Sequence, residues 1–419
     1  MINVVGLGYI GLPTALMFAA HGVEVVGTDY NKGLVDTLQS GKPTFEEDGL
    51  DELFNEAVKK GIRFSHEYQS TDMYIIAVPT PYDKASKKVD ASYVAEAVKD
   101  VMEVCPKGAT VVVESTVSPG TINKYVRPII ESDGFTIGED INLVHAPERI
   151  IPGNMVYELK HNSRTIGADS REIGEKVKAL YSSFCQGEIV VTDIRTAEMT
   201  KVVENTFRDI NIAFANELAK ICRSDNMDVY EIIRIANKHP RVNILTPGPG
   251  VGGHCISVDP WFLVTADKEN SKLIHQARDI NDSMPKFTAD KIREIVDKGS
   301  KIAILGSSFK PNIDDFRESP ITHLIALLKD DYNVAVYDPF KNDQILEFNE
   351  LYDDIRPVVT GADLLVLGVN HGQFCFLDYK EIGKIMKKKN IFDTRNYIDR
   401  EKVEALGFNY YLLGSGELE

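Results

Sequence analysis

Short runs of Val, Ile and Leu alternate with longer amphipathic stretches through the first half of the chain. INVVG (2–6), VEVVGT (23–28), MYIIAV (73–78), TVVVES (110–115) and INLVHA (141–146) have the length and β-branched content of strands. Between them apolar positions recur at helical spacing, as around 10–21, 90–103 and 120–131. Apolar strands separated by helices predict a parallel sheet covered on both faces. From about Asp193 the period changes: 194–224, 228–238 and 271–298 read as helices with no strand between them. From Lys301 the alternation returns in KIAILG (301–306), YNVAVYD (332–338), ADLLVLG (362–368) and NIFD (390–393). The pattern predicts an α/β chain of three parts, 1–193, 194–299 and 300–419, with a helical middle between two parallel-sheet ends. The two ends share a plan but show no residue-level repeat, and no low-complexity linker separates the parts.

The first predicted strand runs into Gly6-Leu7-Gly8-Tyr9-Ile10-Gly11, a GxGxxG run that opens a helix. In such a run the first glycine permits the tight turn and the second lets backbone approach a pyrophosphate. The third lets helix and strand pack closely, and the helix N-terminus supplies N–H groups and a positive dipole. The next strand ends in Asp29, where a carboxylate can take a ribose 2′-hydroxyl and would repel a 2′-phosphate. Together these favour NAD over NADP and make the two α/β ends Rossmann-like. Thr80, in Val78-Pro79-Thr80-Pro81, and Ser115-Thr116 place hydroxyls at the carboxyl ends of later strands, the edge where open α/β sheets bind ligands. Ser and Thr at such ends also cap helices.

Composition narrows the partners. The chain has 419 residues, 43% hydrophobic and 26% charged, as in a soluble multidomain protein. A net charge of −16 argues against nucleic acid and anionic membrane as main partners, while a local basic cluster can still bind an anionic substrate. No basic leader precedes the first strand and no apolar run reaches the ~18 residues of a membrane span, so no signal peptide or membrane segment is expected. Cys105, Cys185, Cys222, Cys255 and Cys375 are scattered, as reduced thiols of a cytoplasmic protein would be, and no Cys or His spacing suits a metal.

One thiol stands apart. Cys255 lies in PGPGVGGHCISVDP (247–260), a glycine- and proline-rich loop that can fold closely around a ligand. The neighbouring His254 and the glycine N–H groups could favour a thiolate, and Asp259 could orient a water or accept a proton. A small apolar filler in a turn is the other reading of this cysteine, and the one that suits the remaining four. Upstream, Lys201, Asn205 and Arg208 share one helix face beside Val202, Val203, Phe207 and Ile210. Alone, the stripe reads as a solvated side; an Asn between two cations also suits an oxyanion or a sugar hydroxyl. Arg149, His239 with Arg241, and Lys310 with Arg317 lie beside predicted ligand edges and suit a phosphorylated substrate, though each taken singly is an ordinary surface charge.

With these residues in place the chain resembles the UDP-glucose/GDP-mannose dehydrogenase family over essentially its full length. The resemblance is carried by VVGLGYIGLP (4–13), VPTP (78–81), EST (114–116), APER (146–149), KVVENTFR (201–208), PGPGVGGHC with Asp259, and Phe309-Lys310 through Arg317. It implies an NAD-dependent UDP-sugar 6-dehydrogenase with Cys255 as nucleophile, Lys201 as proton donor and acceptor, and Asn205 as oxyanion partner. Asp259, Glu148 and Thr116 would handle the hydrolytic water. Arg149, Ile150, Arg208, His239, Arg241, Gly252, Phe309 and Lys310 would contact the substrate, and Arg317 would reach NAD. It further implies a homodimer built on the central helices, with Arg241 serving the partner's site, and a product used for capsule or surface polysaccharide. Glucose-type members carry Ser-Cys-Phe-Pro-Lys-Asp around the thiol, whereas this chain has His254-Cys255-Ile256-Ser257-Val258-Asp259. The segment 239–262 is most similar to the N-acetylmannosamine branch, which makes UDP-N-acetyl-D-mannosamine the expected substrate. UDP-N-acetylglucosamine, UDP-N-acetylgalactosamine and UDP-glucose are the rivals. A two-electron hydroxyacid dehydrogenase would need neither the thiol nor a third domain, and a non-enzymatic NAD-binding regulator would leave Lys201, Asn205 and Cys255 without a role.

Overall fold

A computed structural model describes residues 1–83, 86–151, 153–253, 255–340 and 351–416. The chain forms two compact units, Met1–Glu204 and Asn205–Glu419. The first is built on an eight-stranded sheet. Its strands are β1 (Ile2–Val5), β2 (Val25–Thr28), β3 (Arg63–Ser65), β4 (Met73–Ile76), β5 (Thr110–Val113), β6 (Asn142–His145), β7 (Arg164–Ala168) and β8 (Ile189–Thr192). They lie in the order β3-β2-β1-β4-β5-β6-β7-β8. Helices α1 (Gly11–Ala20), α2 (Lys32–Gln39), α3 (Leu50–Lys59), α4 (Ser92–Val104), α5 (Arg127–Ser132), α6 (Met155–His161) and α7 (Arg171–Tyr181) connect them. One face of the sheet packs on Leu12, Leu16, Phe54 and Val177, the other on Val98, Val101, Ile122 and Ile130, so apolar cores lie on both sides.

The sheet departs from the expected parallel arrangement at one point: β7 runs antiparallel to β6, with His145 opposite Gly167. The reversal carries the first residue of β7, Arg164, past the carboxyl end of β6, toward the ligand edge. The periodicity predicts neither β7 nor β8, because Arg164-Thr165-Ile166-Gly167-Ala168 is no apolar run and β8 lies at the sheet edge. The helix expected at 120–131 begins as a π-helical turn, Ile122–Val126, before α5. Pro128 has no N–H for the ladder, which accounts for the adjustment.

Helix α8 (Ile194–Ser224) has the bounds the pattern predicts. The second unit continues with α9 (Val229–Ala236), α10 (Asp259–Ala266), α11 (Lys272–Asp282) and α12 (Met284–Ile295). The single helix expected over 271–298 is broken at Ser283, since Pro285 cannot extend the ladder of α11. Helix α10 was not expected: Trp261, Phe262 and Val264 are all buried, so it lacks the amphipathic period. The second sheet is wholly parallel, in the order β11-β10-β9-β12-β13-β14. Its strands are β9 (Lys301–Leu305), β10 (Asn333–Tyr337), β11 (Leu351–Tyr352), β12 (Leu364–Leu367), β13 (Asn390–Asp393) and β14 (Asn409–Leu412). Helices α13 (Pro320–Leu328), α14 (Ile355–Val359), α15 (Tyr379–Ile385) and α16 (Arg400–Ala405) belong to the same unit.

The two sheets share a local construction that the sequence does not display. Gly6 follows β1 at φ 86° and Gly306 follows β9 at φ 85°. Each donates its N–H at 2.8 Å to the last residue of the neighbouring strand, Thr28 or Tyr337. The next N–H goes to the aspartate beyond that strand: Leu7 to Asp29 at 2.8 Å, Ser307 to Asp338 at 2.6 Å. Asn31 and Phe340 close the other carboxylate oxygen, each at 2.9 Å.

Candidate active site

In the first unit the fingerprint loop leaves a cradle. A Cβ on Gly6 would stand 2.6 Å from the Ala77 carbonyl oxygen, and one on Gly11 1.8 Å from the Gly6 carbonyl oxygen, so both positions exclude a side chain. At Gly8 a Cβ would meet no described atom within 4 Å: the space lies outside the loop, at the start of α1. Tyr9 is exposed with its ring 4.5 Å from Phe45, and Ile10 is half-buried at the helix start. Asp29 is buried, and each of its oxygens already accepts one backbone N–H. An ionised carboxylate oxygen has a second lone pair, which suits ribose hydroxyls and not a phosphate. Thr80 is half-buried after β4. These residues fit NAD, which would bring a hydride acceptor to this edge.

Beyond β5 and β6 the same edge carries Thr116, half-buried, and the buried Glu148. Ser115 donates its hydroxyl to the Val78 carbonyl at 2.7 Å, the structural role open to it from sequence. One Glu148 oxygen accepts the Arg149 N–H at 2.7 Å; the other pairs with the Arg164 guanidinium. The Arg149 guanidinium pairs with Glu204 of α8 at 2.6 Å and donates to the Ser163 carbonyl at 2.8 Å and the Thr165 hydroxyl at 2.9 Å. Ile150 packs on the core beside α6. Glu114 and Arg164 were not singled out as functional, because an ion pair buried between strands leaves no motif.

Helix α8 inverts the expectation from its sequence. Lys201 and Asn205, the polar pair, are buried, while Phe207 is 66% exposed and Val203 44% exposed. Arg208 of the same stripe is exposed. In the second unit Asn205 donates to Asp259 at 2.6 Å. Asp259 opens α10, and its N–H donates to the Cys255 carbonyl at 2.8 Å, so one helical turn joins thiol and carboxylate. Cys255 is exposed, as is Cys375; Cys105, Cys185 and Cys222 are buried, and burial pushes the Cys105 thiol up to about 11. His254 lies outside the described residues.

The glycine loop sits on the segment after β9. A Cβ on Gly252 would meet the Glu318 carbonyl oxygen at 2.5 Å and the Phe309 Cβ at 2.9 Å; one on Gly253 would meet the Phe309 ring at 2.7 Å. Gly253 also donates to the Arg317 carbonyl at 3.1 Å. The loop's glycines therefore serve close approach to Phe309 as well as flexibility. Lys310 is half-buried beside it, and Arg317 forks onto Asp315 at 2.5 Å. His371, fully buried, accepts the Asn312 N–H at 2.9 Å through Nδ1 and lies 3.3 Å from Asp338 through Nε2, which anchors the segment carrying Phe309 and Lys310. His239 and Arg241 are exposed in the loop after α9. Among the described residues no His, Cys, Asp or Glu cluster could hold a metal, and no helix is long and apolar enough to cross a membrane.

An exposed thiol one turn from a hydrogen-bonded carboxylate, together with a dinucleotide cradle, can support oxidation through a covalent intermediate. The chain matches the UDP-glucose/GDP-mannose dehydrogenase family in three stretches: its NAD binding domain over residues 1–185, its central domain over 195–283 and its UDP binding domain over 303–400. A UDP-N-acetyl-D-mannosamine dehydrogenase from Methanococcus aeolicus is 42% identical over 427 aligned positions, spanning 99% of this chain and 95% of that protein. An NDP-N-acetyl-D-galactosaminuronic acid dehydrogenase from Ralstonia nicotianae is 41% identical, spanning 96% of this chain and 97% of that one. Among solved structures, the UDP-D-ManNAc dehydrogenase from Pyrococcus horikoshii superposes with a TM-score of 0.91 at 38% identity and covers 100% of both chains. The chain belongs to the UDP-glucose/GDP-mannose dehydrogenase family and is an NAD-dependent UDP-sugar dehydrogenase.

Proposed function

We propose that the protein oxidises UDP-N-acetyl-D-mannosamine at C6 to UDP-N-acetyl-D-mannosaminuronic acid, in two NAD-linked oxidations joined by a covalent intermediate on Cys255. The observation that carries this reading is the exposed Cys255 one turn before Asp259, whose carboxylate Asn205 holds at 2.6 Å. The sugar is supported by the relatives named UDP-N-acetyl-D-mannosamine dehydrogenase and by the absence of Phe-Pro-Lys after the thiol. The Ralstonia relative supports an acetamido sugar of galacto configuration as the second reading.

Bound NAD supplies the hydride acceptor in both oxidations. Lys201 takes the C6 hydroxyl proton as the alcohol becomes an aldehyde. The Cys255 thiolate adds to C6, forming a C–S bond, and Lys201 and Asn205 hold the resulting oxyanion. Loss of the remaining C6 hydride leaves a thioester. Thr116, Glu148 and Asp259 guide a water onto it, the C–S bond breaks, and the thiolate and the acid are released. Arg149, Ile150, Arg208, His239, Gly252, Phe309 and Lys310 are assigned to the nucleotide sugar, and Gly6, Gly8, Tyr9, Ile10, Gly11, Asp29, Thr80 and Arg317 to NAD.

We also infer a three-domain division at 1–193, 194–299 and 300–419, and a cytoplasmic homodimer. Phe207, Phe214 and Ile221 are 66%, 49% and 48% exposed along α8, an apolar stripe that a second copy would cover. Arg241 would then serve the partner's site, and the acid would feed capsule or surface polysaccharide. The test is NADH formation with UDP-N-acetylmannosamine, UDP-N-acetylglucosamine, UDP-N-acetylgalactosamine and UDP-glucose. Two NADH per acid from the first is expected. One NADH per substrate overturns the covalent scheme, and preference for another sugar overturns the substrate.

A further inference from the structure

Arg164 is a single cation held between two carboxylates. Its side chain is 3% exposed, that of Glu148 3%, and that of Glu114 is fully buried. One amine of the guanidinium lies 3.4 Å from Glu114 Oε1 and the other pairs with Glu148 Oε2. Tyr181, on α7, donates its hydroxyl to the same Glu114 oxygen at 2.9 Å, and its ring lies 4.5 Å from the guanidinium carbon. The Phe184 ring closes the cluster at 5.5 Å. The remaining Glu148 oxygen accepts the Arg149 N–H.

The charge count does not close. Two carboxylates and one guanidinium leave one excess negative charge in a dry site, where a shared proton is favoured. Burial first, and then the charge of Glu148, push the Glu114 carboxyl up, against the opposing pull of Arg164, to about 7. The groups facing the pair are Arg164 from β7, Tyr181 from α7, Thr14 from α1, Arg149 beside Glu148, and Cys185 near the guanidinium.

We propose that Glu114 is a positioning residue for the hydrolytic half of the reaction: through Arg164 it sets how readily Glu148 accepts the proton of the attacking water. This rests on the assignment of Glu148 to hydrolysis. Ionised Glu114 shares Arg164 and repels the Glu148 carboxylate, so proton uptake by Glu148 is favoured. Protonated Glu114 leaves Arg164 wholly to Glu148, and uptake is disfavoured. In the step itself hydroxide adds to the thioester carbon, its proton passes to Glu148 and then to solvent, and Cys255 departs as thiolate. The first hydride transfer does not use Glu148 and is independent of Glu114.

The experiment compares full-length wild type with Glu114→Gln. It follows the first NADH burst and the release of acid separately as pH is varied. Wild-type acid release is expected to rise through pH about 7, whereas Glu114→Gln should lose that limb and run roughly ten-fold below the wild-type plateau, with an unchanged burst. An unchanged limb overturns the proposal. Tyr181→Phe keeps the carboxylate and removes its 2.9 Å donor, so the limb should move to higher pH; an unmoved limb is likewise contrary, and this variant decides if Glu114→Gln does not fold. Wild type releasing no acid, or acid release indifferent to Glu148→Gln, overturns the underlying assignment, and the proposal with it, before any Glu114 variant is measured.

Discussion

The side-chain amide of Asn205 donates a 2.6 Å hydrogen bond to the Asp259 carboxylate, tying α8 to the first turn of α10. The bond fixes a carboxylate that follows the thiol by one turn. Asn205→Ala removes it along with the proposed oxyanion donor. A loss of ~100- to 1000-fold in kcat is expected with little change in the KM for the nucleotide sugar. Asn205→Asp sets like charges together and should lose at least as much; steady-state kinetics of both variants check this.

Cys255 is exposed in a loop otherwise shaped by contacts at glycine. Cys255→Ser should abolish acid formation, and intact-mass measurement should find a sugar adduct trapped on wild type and none on the variant. Undiminished production of two NADH per substrate by Cys255→Ser would refute the covalent route.

Two glycines of one fingerprint should respond differently to alanine. At Gly11 the new methyl would stand 1.8 Å from a carbonyl oxygen, and a loss of about 3 kcal/mol, near 10 °C in Tm, is expected. At Gly8 it would meet open space, so Tm should hold while the KM for NAD rises roughly tenfold. Thermal melts and NAD titration separate the two effects.

His145 is fully buried, with Nδ1 2.8 Å from the Val113 carbonyl, and burial lowers its pKa from the ordinary 6.5 to about 4. The unfolded chain therefore takes the proton first. Stability from this group is complete above pH 6.5 and is lost as pH falls toward 4, by about 3 kcal/mol. Glu114 has the opposite sign: its raised carboxyl stabilises below the ordinary 4.5, and that contribution fades as pH rises through about 7. Denaturant midpoints of His145→Gln should fall less on acidification than those of wild type.

The stripe on α8 gives a direct test of assembly. Phe207→Asp with Phe214→Asp should convert a dimer to monomer in sedimentation while the helix content holds; a wild-type monomer would be evidence against the interface.

The sequence carried much of this architecture because its strongest signals are local. Helix α8 is read to its end residues from apolar spacing, and the fingerprint glycines and Asp29 announce their roles by position. The antiparallel β7 was not legible. It has no apolar run, and its value lies in bringing Arg164 to Glu114 and Glu148, a relation made only in three dimensions. The facing of α8 was hidden too: a helix that buries Lys201 and Asn205 and exposes Phe207 reverses the usual amphipathic rule, as a helix serving both a polar site and an apolar interface must.

The repeated turn carries a last consequence. Where the first sheet leaves an open gap at Gly8, the second sets Ser308, buried, with its hydroxyl donating to the Lys310 carbonyl at 2.9 Å and 3.3 Å from His371. The helix following that turn begins only at Pro320. One side chain thus plugs the place a pyrophosphate would enter. Two look-alike halves are thereby kept from competing for the same dinucleotide, and the division of labour between them rests on the difference between a hydrogen atom and a hydroxymethyl group.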